Sequence, residues 1–518
     1  MNKTYDKDKV IVSIDIGTTA AKVGLLNADK PSVISVLSSE YPSGILHPKT
    51  TWAESNMEIW WNTAKELIKK LLKQARVRPS NIVAIGMCNT CPSLIPINRE
   101  GKALRPAILY MDQRSIQQAN SIRRQVGLET LYDISGNRIA PGAFSITSML
   151  WIKEEEPNIY KRTYKFVHAN GFFGVKLTGQ IGMDPTNASF TGIFNLRKAE
   201  WSDELTEKIG IDRDKLPNIL WPYEKVGELS QKSAKELGLE TGIPIAMGCA
   251  DSVSSALGCG ITRPGRVFET TGTSTVIAVV SRMPKFDTRI LNRCYIDKEL
   301  WLHMGAMSTT GGSLKWFKDN LCEQEISSSI KTGKSVYEIM DEEAGTIPLG
   351  ADGLLFLPYM SGERSPIWDA HARGVFFGLS LSHTRRHMIR AILEGVAYGL
   401  RNNLEIIESL GVSIDEIRAA GAASKSKLWR QIKADVLNKK IAVSNVKDST
   451  MIGSAILAGR VAKVYNDILT VSDKFYYSIE DVNIPDNASN KKYDGYYEIY
   501  KKAYKRFKST YRLLALVS

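Results

Sequence analysis

The chain has 518 residues, a formal net charge of +13, 43% hydrophobic and 24% charged residues. It is too long for one hydrophobic core, so two or more domains are expected in an otherwise ordinary globular composition. No apolar run of about 18 residues occurs, which argues against a membrane-spanning helix, and six cysteines in so long a chain do not make a disulfide scaffold.

The opening segment MNKTYDKDKV is polar and lacks the apolar stretch of a secretory signal, so a cytoplasmic protein is expected. The first element is VIVSIDIGTTAAKVGLLNA. Apolar residues run from Val10 to Ile16, then Gly17, Thr18 and Thr19, then a second run to Leu26: strand, tight turn, strand. Such a turn brings backbone N–H groups and hydroxyls to one point, and glycine permits the close approach a phosphate needs. Asp15, at the strand end, is a hard carboxylate suited to Mg²⁺ through water. A hairpin with a solvated Asp would look the same.

A helix follows from Met57 to Arg76, apolar at Ile59, Trp60, Ala64, Leu67, Ile68, Leu71 and Leu72. The strand NIVAIGM then runs into Cys88-Asn89-Thr90-Cys91. A zinc site needs four ligands, and no second C-x-x-C or nearby His pair completes one. A thioredoxin-type site or simple apolar packing remain. LIPINREGKAL reads as a hairpin around Glu100-Gly101, and MDQRSIQQANSIRRQVG as a helix beginning near Asp112.

In GCADSVSSALGCG, small residues surround one carboxylate, Asp251, followed by Ser252. The segment reads as a helix start with Asp251 at the N-cap. The alternative to a plain cap is a general base that takes a proton from a hydroxyl. A second strand–turn–strand, VFETTGTSTVIAVV, carries Gly272-Thr273. The shared plan of the two hairpins points to two similar domains, 1–260 and 261–518. A long helix from Arg385 to Leu410, the strand EIRAAGA, and helices at Lys427–Leu437 and Met451–Val461 complete an α/β class.

Lys491 to Arg512 holds eight Lys/Arg against two Asp/Glu, a net +6. Tyr493, Tyr497, Tyr500, Tyr504, Phe507 and Tyr511 recur there at three- and four-residue spacing, the stripe of an amphipathic helix. A docked terminal helix is favoured over a nucleic-acid arm, because base stacking would need exposed tyrosines. The overall +13 is open to nucleic acid, an anionic membrane, anionic substrates or solubility alone.

The stretch GVFFGLSLSHTRRHMIRAILEGVAYGLR, Gly374 to Arg401, resembles the C-terminal sequence pattern of the FGGY carbohydrate kinases. GLLFLPYMSGERSPIWD, LWRQIKADVL, RPAILYMDQR and WSDEL are similar to the same family, and the likeness runs from Val10 to about Lys463. Within the family the layout looks most like the xylulokinases. The resemblance implies two similar actin/hexokinase-like (ribonuclease H-like) domains with an ATP/sugar cleft between them. It implies ATP and Mg²⁺ as cofactors, with Asp15 linked to the metal. Gly17, Thr18 and Thr19 would touch phosphate with Lys22 nearby, and Gly272 and Thr273 would form the second phosphate turn. Gly311 matches a glycine near the nucleotide. Gly421, Ala422 and Ala423 match the adenosine loop, with Ser426 at a contact position. Asp251 matches the catalytic base, and Asp112 and Arg114 lie where the family contacts sugar hydroxyls.

Three departures concern the acceptor and the adenosine loop. Cys88-Asn89-Thr90-Cys91-Pro92-Ser93 stands where xylulokinases usually show Gly-Gln-Met-His-Gly; Ser252 stands where they carry Asn; the adenosine loop reads Gly-Ala-Ala. Asn89 and Thr90 can hydrogen-bond sugar hydroxyls from the end of a strand, where open α/β sheets bind ligands. The expected activity is ATP-dependent phosphorylation of a small sugar, a ketopentose such as D-xylulose first. Another ketose, glycerol, a tetritol or a sugar acid such as gluconate comes second, and a nucleotide-binding switch without turnover is the reading from another class. No nucleic-acid or membrane partner is expected, and a homodimer is left open.

Overall fold

A computed structural model of the chain describes residues 9–29, 32–444, 448–475 and 479–517. The chain forms two compact units. Unit 1 comprises Met1–Thr262, Asn292–Trp301 and Val446–Tyr477; unit 2 comprises Arg263–Leu291, Leu302–Asn445 and Ser478–Ser518.

In unit 1 the strand Val10–Ile16 is paired antiparallel with Ala20–Asn27 and parallel with Ile82–Asn89. The sheet runs Lys225–Glu228, Pro244–Ala246, Ile82–Asn89, Val10–Ile16, Ala20–Asn27, Ser32–Glu40, and Cys249–Ala250 also lies beside Ile82–Asn89. Val10–Ile16 is nearly all apolar because both its faces are covered. Val10, Val12, Ile14 and Ile16 point into the cluster that holds Trp60, Ala64, Ile68 and Leu71 of the helix Met57–Ala75. That helix starts at Asn56, whose side-chain oxygen accepts the Glu58 N–H at 3.0 Å, and ends at Arg76 with φ 53°.

The other face of the strand carries Ser13, whose hydroxyl bonds that of Ser454 in the helix Ser449–Val461. This helix approaches at backbone distance. A Cβ on Gly86 would lie 2.2 Å from the Ser454 carbonyl oxygen, and one on Gly453 would lie 1.9 Å from that of Ser254. Gly453→Ala is therefore expected to destabilise the protein by at least about 1–3 kcal/mol, the usual cost of overpacking, since the obstacle is backbone. A Cβ on Gly495, in the C-terminal helix, would meet nothing within 4 Å. Thermal unfolding should show a clearly lower Tm for Gly453→Ala and no loss for Gly495→Ala; equal midpoints would contradict the close helix approach.

Unit 2 repeats the local plan. Arg266–Thr271 pairs antiparallel with Thr275–Ser281 and parallel with Glu416–Ala420. Lys440–Ser444 and Ile479–Asn483 continue the sheet. The C-terminal helix Asn487–Val517 buries Tyr493, Tyr497 and Tyr500 against Tyr398 of the long helix Arg385–Ser409. The tyrosine stripe thus faces a core and not solvent. Among the described residues no helix is long and apolar enough to cross a membrane.

Three helix starts differ from the sequence expectation: the helix expected from Met451 already begins at Ser449. The helix expected near Asp112 spans Ile116–Val126, because Asp112 is held in the preceding turn by the N–H groups of Ala53 and Arg114. Asp251 is the first residue of the helix Asp251–Gly258, and Ala250 holds the N-cap position without a side-chain cap bond.

Candidate active site

Three strand ends of unit 1 meet at one place. Asp15 stands opposite Lys22 on one side and Cys88 on the other, and Cys88 stands opposite Cys249. The chain leaves these ends through the Gly17–Thr19 turn, through Asn89-Thr90, and through Asp251. Parallel register thus gathers residues far apart in sequence.

The first turn is closed by Gly17 N–H to the Ala20 carbonyl at 3.0 Å, and a Cβ on Gly17 would lie 2.9 Å from that oxygen. The Thr18 hydroxyl meets that of Thr90 at 2.9 Å, and the Thr90 N–H donates to the Ile16 carbonyl at 2.8 Å. Thr19 is exposed and its carbonyl accepts from the Tyr41 N–H at 2.9 Å. Lys22 pairs with Asp448 at 2.9 Å. Asp15 is half-buried, and its Oδ1 is buried with no hydrogen-bond partner. Burial raises its pKa above the usual value, against the opposing effect of Lys22. A carboxylate oxygen left open in this way suits Mg²⁺, which takes one or two carboxylates and fills its other positions with water and substrate phosphates. Among the described residues no group of three or more His, Cys, Asp and Glu could hold a metal, so a metal held by the protein alone does not fit.

Asp251 is also half-buried, and its Oδ1 accepts the Ser252 N–H at 2.6 Å. Burial, then the negative charge of Asp15, push its pKa up to about 6, while the Ser252 N–H and Arg293 pull the other way. A carboxyl that titrates near neutrality is matched to proton abstraction from a hydroxyl.

Asn89 and Thr90 are buried, and Asn89 is committed to the protein. Its amide donates to the Thr90 carbonyl at 2.7 Å and to Asn187 Oδ1 at 3.1 Å, and Asn187 donates back at 3.3 Å. Asn187 also reaches Asp184, and Thr186 Oγ1 accepts the Ala250 N–H at 3.0 Å. This Asp184–Asn187 turn supports both Asn89 and the strand before Asp251, and the sequence motifs do not point to it. Its signal is modest: an Asp cap followed by Pro at the first helical position.

The two cysteines of the C-x-x-C are free. Burial pushes the Cys88 thiol well up and the Cys91 thiol to about 12. Thiolate chemistry calls for the opposite shift. Both residues are packed as protonated thiols at neutral pH.

Asp112 and Arg114 form a closed network. Arg114 donates from Nε to Asp112 Oδ1 at 2.9 Å and from Nη2 to Oδ2 at 2.8 Å, and its Nη1 lies 2.7 Å from Glu54. Arg105 bonds the same Glu54. Trp52 and Trp151 lie against the Arg114 guanidinium, with ring centres 3.7 and 4.9 Å from its carbon. Asp112 also accepts the Ala53 N–H at 2.6 Å, so hydrogen bonds and ion pairs within the protein engage this pair throughout.

Arg293 is a residue that sequence reasoning misses. It is 2% exposed, donates from Nη1 to Ser252 Oγ at 2.9 Å, contacts Cys91 Sγ at 3.9 Å, and stacks 4.0 Å from the Phe190 ring centre. A lone Arg in the stretch LNRCYID carries no sequence signal for such a position.

Unit 2 gathers its own set. The Gly272 N–H donates to the Ser274 carbonyl at 2.9 Å, and the Thr273 carbonyl accepts from Thr310 and Gly312 at 3.0 and 2.9 Å. A Cβ on Gly311 would lie 2.2 Å from the Gly272 carbonyl oxygen. Gly421 has φ +83°, and a Cβ there would sit 2.9 Å from Thr270 Oγ1 and 3.0 Å from the Thr271 carbonyl oxygen. Gly272, Thr273, Gly311 and Gly421 are therefore joined in one backbone cradle, with Ala422 and Ala423 in the short helix Ala422–Lys425 directly after it. Ser426 caps the helix Lys427–Leu437 by accepting the Trp429 N–H at 3.0 Å.

Residues 10–258 match the N-terminal domain, and residues 268–462 the C-terminal domain, of the FGGY family of carbohydrate kinases. The chain is 30% identical over 498 residues to a xylulose kinase of Staphylococcus xylosus, covering 95% of this chain and 99% of the relative. It is 30% identical over 480 residues to a gluconokinase of Bacillus subtilis (strain 168), covering 92% of each. The crystal structure of a ligand-bound xylulose kinase from Lactobacillus acidophilus matches with a TM-score of 0.89 at 25% identity, over 98% of this chain and 99% of that one. With both family domains matched in order and relatives alike over nearly the full length, the chain belongs to the FGGY carbohydrate kinases and has their two-domain α/β fold.

Proposed function

We propose that the protein transfers the γ-phosphoryl group of MgATP to a hydroxyl of a small sugar, with Asp251 as the general base. The observation that carries this reading is the Asp251 carboxyl, tuned to about 6 at the start of its helix and beside Asp15. Asp251 would take the acceptor hydroxyl proton as that oxygen attacks the γ-phosphorus. The bond from phosphorus to the bridging β–γ oxygen breaks, and ADP leaves. The open oxygen of Asp15 would hold the magnesium that travels with ATP, which supplies neutralising charge. The Gly17–Thr19 and Gly272–Thr273 turns are proposed as phosphate-binding elements of their units, and the Gly311 and Gly421–Ala423 backbone as the nucleotide cradle.

A ketopentose such as D-xylulose is the first acceptor to consider, on the likeness to xylulose kinases. A sugar acid such as gluconate is the second, since a gluconokinase is as similar in identity. Asn89, Thr90 and Ser252 are assigned to the acceptor side. Given the engagement of Asp112 and Arg114, they are assigned to shaping it as well as to contacting hydroxyls. A cytoplasmic location belongs to the same reading.

The test is ADP release from MgATP against ketoses, polyols and sugar acids. Turnover of one acceptor, lost on removing Asp251, is the expected result. ATP binding without ADP release on any acceptor would instead support a nucleotide switch.

A further inference from the structure

The acceptor side of unit 1 contains a buried cation with no direct ion-pair partner among the described residues, its field reaching the Asp251 carboxyl without a contact to it. Arg293 is 2% exposed, yet no carboxylate lies within ion-pair distance of it among the described residues. Its Nε is buried with no hydrogen-bond partner, and its two terminal nitrogens meet only the Ser252 hydroxyl and the soft Cys91 sulfur. A guanidinium has five N–H donors in a fork that fits a carboxylate. Burying such a charge is expensive unless it is paired, and folded proteins pair or ligate buried charges. Arg293 is adjacent, through Ser252, to the proposed base, and through Cys91 to the loop after Asn89 and Thr90. Its plane is fixed by Phe190 at 4.0 Å. Ser252 is shorter than the Asn usual in xylulokinases and still accepts from Arg293.

We infer that Arg293 is a specificity-determining residue that binds an anionic group of the acceptor, so that, against the order given by likeness to relatives alone, the enzyme phosphorylates a sugar acid in preference to a neutral ketose. The missing direct partner is then the substrate's carboxylate, held at one end while a hydroxyl elsewhere on the chain is presented to Asp251. This rests on the kinase reading above for its catalytic readout but not for its binding readout. The competing structural role is a guanidinium that merely balances the charge of Asp251.

Two measurements separate these outcomes. In the first, kcat/KM is compared for gluconate and D-xylulose in the wild type, Arg293→Met and Arg293→Lys. The acid should be favoured by the wild type. The acid-to-ketose ratio should fall by about 10–100-fold in Arg293→Met, the worth of a charge-assisted hydrogen bond, and recover in part in Arg293→Lys. A ratio that stays constant while both acceptors weaken together, or a wild type that favours the ketose, would overturn the inference and leave the kinase intact. The second uses only wild-type protein and no nucleotide: calorimetric titration with gluconate and with D-xylulose. Tighter binding of gluconate, weakening with added salt, is expected even if no acceptor turns over; equal or weaker binding of gluconate counts against Arg293 as its anchor.

Discussion

Asp251→Asn is expected to lower kcat by ~10²–10⁴-fold, the usual contribution of a general base, with ATP binding retained. The amide keeps the size of the side chain, so the loss reports chemistry and not packing. The wild-type pH profile provides an internal check. Only the ionised carboxylate can accept the proton. With its pKa at about 6, the active fraction rises with pH and levels off above neutrality, so kcat/KM should show an acid limb near pH 6. A second substitution tests the cause of that limb. Asp15 raises the Asp251 pKa through its charge, so Asp15→Asn should move the limb to lower pH in whatever activity remains. Asp15→Asn also removes the negative charge assigned to magnesium, so its activity should fall and its apparent need for Mg²⁺ should rise. An Asp251→Asn enzyme with near-normal kcat, or an acid limb insensitive to Asp15, would dismiss Asp251 from the role.

The parts of this site legible in sequence are those set by local chemistry. The Gly17–Thr19 and Gly272–Thr273 turns follow from a glycine between two apolar runs, and Gly17 is needed because a Cβ would meet the Ala20 carbonyl oxygen. The helices at Met57 and Arg385 follow from apolar periodicity, and the tyrosine stripe at the C-terminus implies the docked face that the fold contains. Asp251 stands out because nothing else in its segment is charged. What sequence could not show is set by partners distant along the chain. Asp112 and Arg114, placed at sugar hydroxyls by the family resemblance, carry no sequence sign of the Glu54 carboxylate and Ala53 N–H that engage them. The helix beginning near Asp112 starts later for the same reason. Asn89 reads as a ligand-facing amide until Asn187 pairs with it. Gly86 and Gly453 carry no motif, and their need arises only when the helix Ser449–Val461 lies on the sheet. Arg293 belongs to a segment, 292–301, that returns to unit 1 after the chain has entered unit 2, which no local pattern encodes.

The largest expected effect on stability lies under the second Gly-Thr turn. Lys433 and Glu269 form an ion pair at 2.8 Å with both side chains only 3% exposed. Glu269 lies on the strand that ends at Thr271, directly before Gly272, and the Thr271 hydroxyl bonds Glu269, Thr275 and Lys433. Lys433→Met should destabilise unit 2 by about 3–5 kcal/mol, because it leaves a buried carboxylate without its partner. The pair's own net worth is much smaller, since desolvation offsets most of the attraction. Replacing both residues, Lys433→Met with Glu269→Leu, should therefore recover most of the loss. Urea unfolding of the single and double variants measures the difference. The turn adds a functional readout: the single variant should raise the KM for ATP, because Thr271 loses a donor beside the glycine proposed to bind phosphate. Should Lys433→Met unfold at the wild-type midpoint, or the double variant be the less stable of the two, the Thr271 hydroxyl would satisfy the carboxylate without a cation. The strand leading to Gly272 would then be held by its backbone pairing to Thr275–Ser281 and Glu416–Ala420 alone.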